Sequence, residues 1–423
     1  MRSFSDRKTM DNNPLLNLPA EASGGAPRPE RELLVCCARV CMDLQTTERV
    51  RALLQQDIDW TYLIQTAFQH GMLPLLYRGL SSVCPEAVPY ATLALLRDHF
   101  HRNARRNLFL TAELIKLVKL FEEHGILVVP FKGPVLAASV YGSLSLREFV
   151  DLDILVPERD VLRAKDLLIS HGFQQDPQLT DGQEAAFLRS GCELEFVRDD
   201  GAVTIDLHWD FTVRGFSFSF ELDRLWERLE TVSLAGKKIL SLSPADLLLL
   251  LCLHGAKHYW HRLEWICGVA ELIRSHQAMD WQRVMENASR LGGERVLLLG
   301  LLLARDLLRA VLPHEVLQRM RADRMAQSLA THVRKELFSE TDANLRQADS
   351  WAFFLRMRER LRDQVRYFLY FTNLRLTPTA EDLALMHLPS LLFFLYYLLR
   401  PIRLFRVYGV SPFLRFLKRL QSF

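Results

Sequence analysis

Two aspartates one residue apart, Asp151 and Asp153, stand in the run Asp151-Leu152-Asp153-Ile154-Leu155-Val156. In a strand, residues i and i+2 share a face, so both carboxylates lie on one side while Leu152 and Ile154 face the other. Unpartnered, the two charges repel. A shared divalent cation removes that penalty, and oxygen-rich ligands of this kind suit Mg2+, which keeps waters and recruits phosphate oxygens. A third carboxylate, Asp206, lies in a second alternating run from Ala202 to Trp209. If the two strands are neighbours, three carboxylates converge as Mg2+ ligands. Such a set suits phosphoryl or nucleotidyl transfer with two ions ~3.5–4 Å apart, activating the attacking oxygen and stabilising the leaving pyrophosphate.

Upstream, the apolar run Ile126-Leu127-Val128-Val129-Pro130-Phe131 reads as a buried strand and ends in Lys132-Gly133, with Pro134 in the first turn of a following helix. Glycine there lets a phosphate approach the backbone, and Lys132 adds positive charge. Arg147 has two readings, a contact to the triphosphate or an ion pair with Asp151 or Asp153. His208 shares a face with Asp206 and reads as structural more readily than as a group orienting a ligand. His254 and His258 are at i and i+4 of a helical segment, with His261 beyond; no glutamate makes them a zinc-protease motif, and helix packing is the favoured reading. Lys257 between them is a candidate contact to nucleotide or acceptor.

The elements that must position these residues follow from period and punctuation. Residues 1–30, with Gly24-Gly25-Ala26-Pro27, lack periodic apolar positions and read as a disordered arm. Residues 31–124 are helical in period, as at Leu110, Leu114, Leu117, Val118 and Phe121. Residues 125–240 mix strands and helices, including a helix from Glu158 to Ser170 closed by His171-Gly172. A hairpin of Cys192–Arg198 with Ala202–Trp209 turns at Asp199-Asp200-Gly201. Residues 241–423, opening at Ser243-Pro244-Ala245-Asp246, are helical to near the end. The fold class is therefore α+β, a small mixed sheet flanked by helices and embedded between all-helical regions.

Over 423 residues, 24% charged and 49% hydrophobic composition describes a folded chain rather than a disordered one. No run supplies the ~18 apolar residues of a membrane span. The net charge of +3 is too small for the whole surface to bind a polyanion. The basic excess sits at the C-terminus, where Arg400, Arg403, Arg406, Arg415, Lys418 and Arg419 have no carboxylate among them after Leu388. The apolar run Leu391–Leu399 and the aromatic and basic stretch Phe413–Phe423 are too short to span a bilayer, and suit packing, a partner or a peripheral membrane contact. Seven scattered cysteines without C-x2-C spacing describe neither a disulfide framework nor a zinc site, which favours a reducing, cytoplasmic compartment.

The ordered set Phe131-Lys132-Gly133-Pro134, Arg147, Asp151-Leu152-Asp153, His171-Gly172-Phe173 and Ile205-Asp206-Leu207-His208-Trp209 resembles the polymerase-beta-type nucleotidyltransferase superfamily, and within it an uncharacterised "nucleotidyltransferase family protein" branch. The likeness runs from about Arg105 to Ile273. The segment His254-Gly255-Ala256-Lys257-His258-Tyr259-Trp260 is similar to the same branch, whose members often carry an Asp near the position of Gly268. The resemblance implies Asp151 and Asp153 as catalytic metal ligands, Asp206 as the third carboxylate, and Lys132, Gly133 and Arg147 at the nucleotide, with Gly142-Ser143, nearer the aspartates, as the alternative phosphate loop. The expected reaction moves an NMP unit from an NTP to a hydroxyl or phosphate on a small molecule, peptide or protein. A long nucleic acid is not expected, because no basic stripe interleaved with aromatics adjoins the core. The competing expectation is a non-catalytic binding or scaffold protein on the same fold.

Overall fold

The structure is a computed structural model and describes residues 28–176, 188, 191–212, 221–339 and 352–376. Most of the arm expected at 1–30, and the C-terminal segments 391–399 and 413–423, lie outside the described residues. The chain divides into two compact units, Met1–Arg214 with Phe218–Ser339, and Gly215–Ser217 with Glu340–Phe423.

The larger unit opens with five helices, α1 (Pro29–Cys37), α2 (Leu44–Leu53), α3 (Trp60–Gln69), α4 (Leu73–Val83) and α5 (Tyr90–Glu123). Asp43 and Asp59 cap α2 and α3 by accepting from the N–H groups of Thr46 and Tyr62. Helix α5 runs for 34 residues because neither Gly nor Pro interrupts it, and it stops where Gly125 takes φ +65°. Its second half buries Leu110, Leu114, Leu117, Val118 and Phe121 against the sheet.

That sheet contains β1 (Val129–Pro130), β2 (Leu152–Leu155), β3 (Phe173–Gln175), β4 (Glu193–Arg198) and β5 (Thr204–His208) in the order β1-β2-β5-β4-β3. Strands β2 and β5 are parallel; the other pairings are antiparallel. Between the strands lie α6 (Gly133–Ser139) and α7 (Val161–Ser170). The fold is therefore mixed α+β, as the sequence implies. The run from Ile126 to Phe131 contributes only two residues to the ladder. It forms an edge strand, where Pro130 can sit because it has no N–H to donate.

Alternation decides what each face carries. Leu152, Ile154, Leu194, Phe196, Ile205 and Leu207 belong to one buried cluster with α5 and α7. The side chains between them, Asp153, Glu193, Glu195, Asp206 and His208, take the opposite face. The 199–201 turn forms as expected, with Gly201 at φ +70° and β4 antiparallel to β5.

A second hairpin, β6 (Glu230–Leu234) with β7 (Lys237–Ser241), was not among the expected strands. Its two-residue turn places Ala235 and Gly236 at φ 48° and 82°. Alanine is a poor residue for a left-handed position, so the turn carries none of the Asn-Gly or Asp-Gly chemistry that announces a hairpin.

Helices complete the unit: α8 (Leu222–Trp226), α9 (Pro244–Lys257), α10 (Leu263–Ser275), α11 (Trp281–Leu291), α12 (Glu294–Leu308), α13 (His314–Ala322) and α14 (Arg324–Glu336). Ser243 caps α9 by accepting from the Asp246 N–H. Every residue from Leu247 to Leu253 is buried, as befits a helix that is apolar all round and packs against α10, α11 and α12. In the smaller unit, α15 (Leu361–Leu376) exposes Leu361, Val365, Phe368 and Leu369 along one face. No helix among the described residues is long and apolar enough to cross a membrane. All seven cysteines are free thiols.

Candidate active site

Asp153 and Asp206 are direct register partners on the parallel strands β2 and β5. The antiparallel neighbour β4 sets Glu195 opposite Asp206 and Glu193 opposite His208, so a row of acidic side chains crosses three strands. Asp153, Asp206 and His208 can present ligand atoms that all lie within 4.8 Å of one another. Asp151 sits one residue before β2 and outside that compact set. Of the expected carboxylates, two therefore meet directly across the strand pair. His208 takes the third place in the closest group, and Asp151 acts on it through its charge.

The turn at Gly133 brings the Lys132 side chain onto this face. Gly133 adopts φ +48°, a left-handed conformation, and a Cβ on it would lie 3.3 Å from the backbone oxygen of Asp151. Glycine is required there both to make the turn and to let it close against the start of β2. Lys132 Nζ donates to Asp153 Oδ1 at 2.7 Å, and both side chains are largely buried. His208 approaches the same oxygen through Nε2 at 3.5 Å and Glu193 Oε2 through Nδ1 at 3.3 Å. The Phe131 ring lies edge-on to His208 at 5.1 Å, so an apolar wall closes one side of the imidazole.

Arg147 follows the short 3-10 turn Leu144–Leu146, and α5 fixes the backbone of that loop. Asn107 Nδ2 donates to the carbonyls of Leu144 (2.6 Å) and Arg147 (2.8 Å), and Asn103 Nδ2 to those of Ser145 (3.1 Å) and Arg147 (3.2 Å). One helix thus holds the loop through two asparagines a turn apart. The long N-terminal helix is a positioning element, a role its periodicity alone does not reveal. The guanidinium is held near the carboxylates while its Nη1 is buried without a hydrogen-bond partner. Gly142-Ser143, the alternative phosphate loop, lies on the chain before this turn, where Ser143 accepts from the Ser145 N–H.

Crowding controls the charges. Burial, and then the charge of Asp153, push Asp151 from the usual carboxylate range up to about 6. Burial, with Asp151 and Asp153 next, holds Asp206 well above that range. Burial pushes Asp153 in the same direction, but the charge of Lys132 and the contact with His208 outweigh it and lower its pKa. Lys132 is raised, because attraction to Asp153 exceeds the cost of burying its ammonium. One carboxylate is thus neutralised from within the protein, and two others are ionised only at a cost.

These residues suit a divalent cation. The closest donor set holds two carboxylates, and a third carboxylate is electrostatically linked to it. By contrast, His254, His258 and His261 form no group of three metal donors among the described residues. Their rings instead surround Trp265, at centroid distances of 5.5, 5.1 and 4.6 Å. Lys257 donates to the Phe211 carbonyl at 3.3 Å. A Cβ on Gly268 would lie 3.7 Å from the Tyr141 hydroxyl, so that position presents no carboxylate to the site.

Sequence reasoning set His208 on the same face as Asp206, as structural more readily than as a group orienting a ligand, and it did not single out Glu193, Glu195, Asn103 or Asn107. The signal for His208 was its i+2 spacing from Asp206. The other four depend on pairings distant in sequence. A comparison with curated proteins finds no match. A family described as "Uncharacterised nucleotidyltransferase" matches residues 56–309, a span that holds the whole sheet, Lys132, Arg147 and the three aspartates. More than half of the chain lies in that match, and the protein belongs to this family of uncharacterised nucleotidyltransferases.

Proposed function

We propose that the protein binds an NTP and transfers its NMP unit to a hydroxyl or phosphate acceptor, releasing pyrophosphate. The observation that carries this reading is the register pairing of Asp153 with Asp206, with Asp151 beside them. Crowded carboxylates held together against their own repulsion make sense when a cation is to be shared. In this reading Asp151, Asp153 and Asp206 hold Mg2+, two ions as is usual for such transfer chemistry, and His208 steadies Asp153 rather than binding Mg2+, which prefers oxygen. When bound, the metal supplies charge neutralisation at the phosphates and lowers the barrier to attack by the acceptor oxygen.

The chain's own residues do the rest. Lys132 moves its ammonium from Asp153 toward the phosphates once that carboxylate has another counter-ion. Arg147, held by Asn103 and Asn107, offers its unpartnered nitrogen to the triphosphate. The left-handed turn at Gly133 keeps the backbone low enough for the phosphates to approach. Asp206, opposite Asp153 on the neighbouring strand, is the carboxylate assigned to take the proton of the acceptor hydroxyl. The acceptor is a small molecule, a peptide or a protein side chain, and the cytoplasm is the proposed compartment.

A second reading, a binding protein without catalysis, draws support from the Lys132–Asp153 ion pair, which supplies a counter-ion without metal. One experiment separates the two. The protein is incubated with α-labelled NTPs, Mg2+ and cell extract, beside a variant carrying Asn at 151, 153 and 206. Label on a defined acceptor with the parent alone supports transfer. Pyrophosphate release no greater than that of the variant, with every NTP, leaves only the binding reading.

A further inference from the structure

We propose that the face formed by His254, His258 and Trp265, where α9 turns into α10, receives the aromatic base of the nucleotide whose phosphates the carboxylate site holds. This rests on the nucleotidyl-transfer reading above and extends it to the part of the substrate that the metal site does not touch. His254 and His258 stand one turn apart with ring centroids 4.7 Å from each other, and the Trp265 indole meets both. All three residues are partly exposed. Among the described residues, neither their imidazole nitrogens nor the indole N–H make a hydrogen bond. An aromatic surface with polar edges left over is what a heterocyclic base needs, because every base offers a π-face for stacking and donors and acceptors on its rim.

The surface is also adjacent to the phosphate end. Lys257, on the turn between the two histidines, donates to the Phe211 carbonyl. The Phe211 ring meets Phe131 at 5.3 Å, and Phe131 meets His208 at 5.1 Å. The charges of Lys132 and Arg147 reach His254, and those of Lys132 and Glu193 reach His258. Burial lowers both imidazoles, His258 to about 3, so they are neutral near pH 7 and each offers one donor and one acceptor. A neutral pair suits a base edge, whereas the cations Lys132, Lys257 and Arg147 suit the phosphates.

A strained backbone holds this face in place. Tyr259 and Trp260, consecutive and neither of them glycine, take φ 57° and 55°. Such conformations persist only where the surroundings over-determine them. Here the anchor is Trp260, fully buried, whose ring occupies the space of the missing side chains of Gly255 and Gly300; a Cβ on either would lie 2.5 or 3.1 Å from it. The turn so fixed sets His258 against Trp265 across the start of α10.

The test compares two ligands on the full-length protein in Mg2+: non-hydrolysable analogues of the four NTPs, and inorganic tripolyphosphate, which has the phosphates without the base. The parent should bind at least one analogue about tenfold or more tightly than tripolyphosphate, the range expected for stacking one base. Trp265→Leu and His254→Ala should bring that ratio toward one while tripolyphosphate affinity stays as in the parent, which also shows that each variant is folded. His258→Phe, which keeps a ring and removes the nitrogens, should retain most of the ratio but lose preference among bases. An unchanged ratio in Trp265→Leu and His254→Ala overturns the base site and leaves nucleotidyl transfer standing. If the parent binds neither ligand with Mg2+, the transfer reading falls and this inference with it.

Discussion

Replacing Asp151 by asparagine should stabilise the metal-free protein, although it removes a residue proposed to hold the metal. Asp151 titrates near 6 in the fold against an ordinary value of 3.8. A folded carboxyl with a raised pKa binds its proton more tightly than the unfolded chain does. Folding stability is therefore fully present below about pH 3.8 and is lost as the pH rises through 6. At about 1.4 kcal/mol per pH unit, the loss amounts to roughly 3 kcal/mol at pH 7.5 and about half of that at pH 5. Asparagine cannot ionise, so Asp151→Asn should recover ~1–3 kcal/mol at pH 7.5, a few degrees in the midpoint for a chain of this size. The gain should shrink by about half at pH 5. The assay is thermal unfolding in EDTA at both pH values, followed by repetition with Mg2+ and a non-hydrolysable NTP. There the parent should be stabilised by ligand linkage and the variant should not. A variant no more stable than the parent in EDTA at pH 7.5, or equally improved at both pH values, would falsify the account of the crowded carboxylates.

Further consequences follow from individual contacts. Asp153→Ala should cost ~3–5 kcal/mol, because it leaves Lys132 buried without its counter-ion, whereas Asp206→Ala relieves repulsion and should not reduce metal-free stability; urea titrations of the two variants compare them. Asn107→Ala strands the Leu144 carbonyl, leaves that of Arg147 with only the longer bond from Asn103, and should cost ~1–3 kcal/mol. The same variant should weaken nucleotide binding through a displaced Arg147, so a normal affinity measured by calorimetry counts against the positioning role of α5. Gly255→Ala sets a methyl 2.5 Å from the Trp260 ring and should destabilise by ~1–3 kcal/mol, read as a lower thermal midpoint; a silent substitution would mean that Trp260 is not the anchor of its turn.

Much of the local structure was legible from residue order. The Asp199-Asp200-Gly201 turn, the Ser243 cap and the stripe of Leu110, Leu114, Leu117, Val118 and Phe121 each depend on chemistry within a few residues, and each forms where expected. Strand β3 and the β6–β7 hairpin escaped notice. The first is three residues long, and the second turns on Ala235-Gly236, which lacks the side chains that favour left-handed backbone.

The sequence by itself determined that Asp151 and Asp153 share a strand face, that Asp206 and His208 share another, and that glycine follows Lys132, because the period of an extended chain and the freedom of glycine are local properties. Only the tertiary structure decided that β5 lies parallel beside β2 in the register that opposes Asp206 to Asp153. It alone decided that Lys132 spends its charge on Asp153, that two asparagines of a distant helix hold the Arg147 loop, and that three histidines gather around Trp265 near the same face. Strand pairing and side-chain packing join segments far apart in the chain. Which partner each meets is settled by burying the apolar faces of all of them together, and no single segment carries that information.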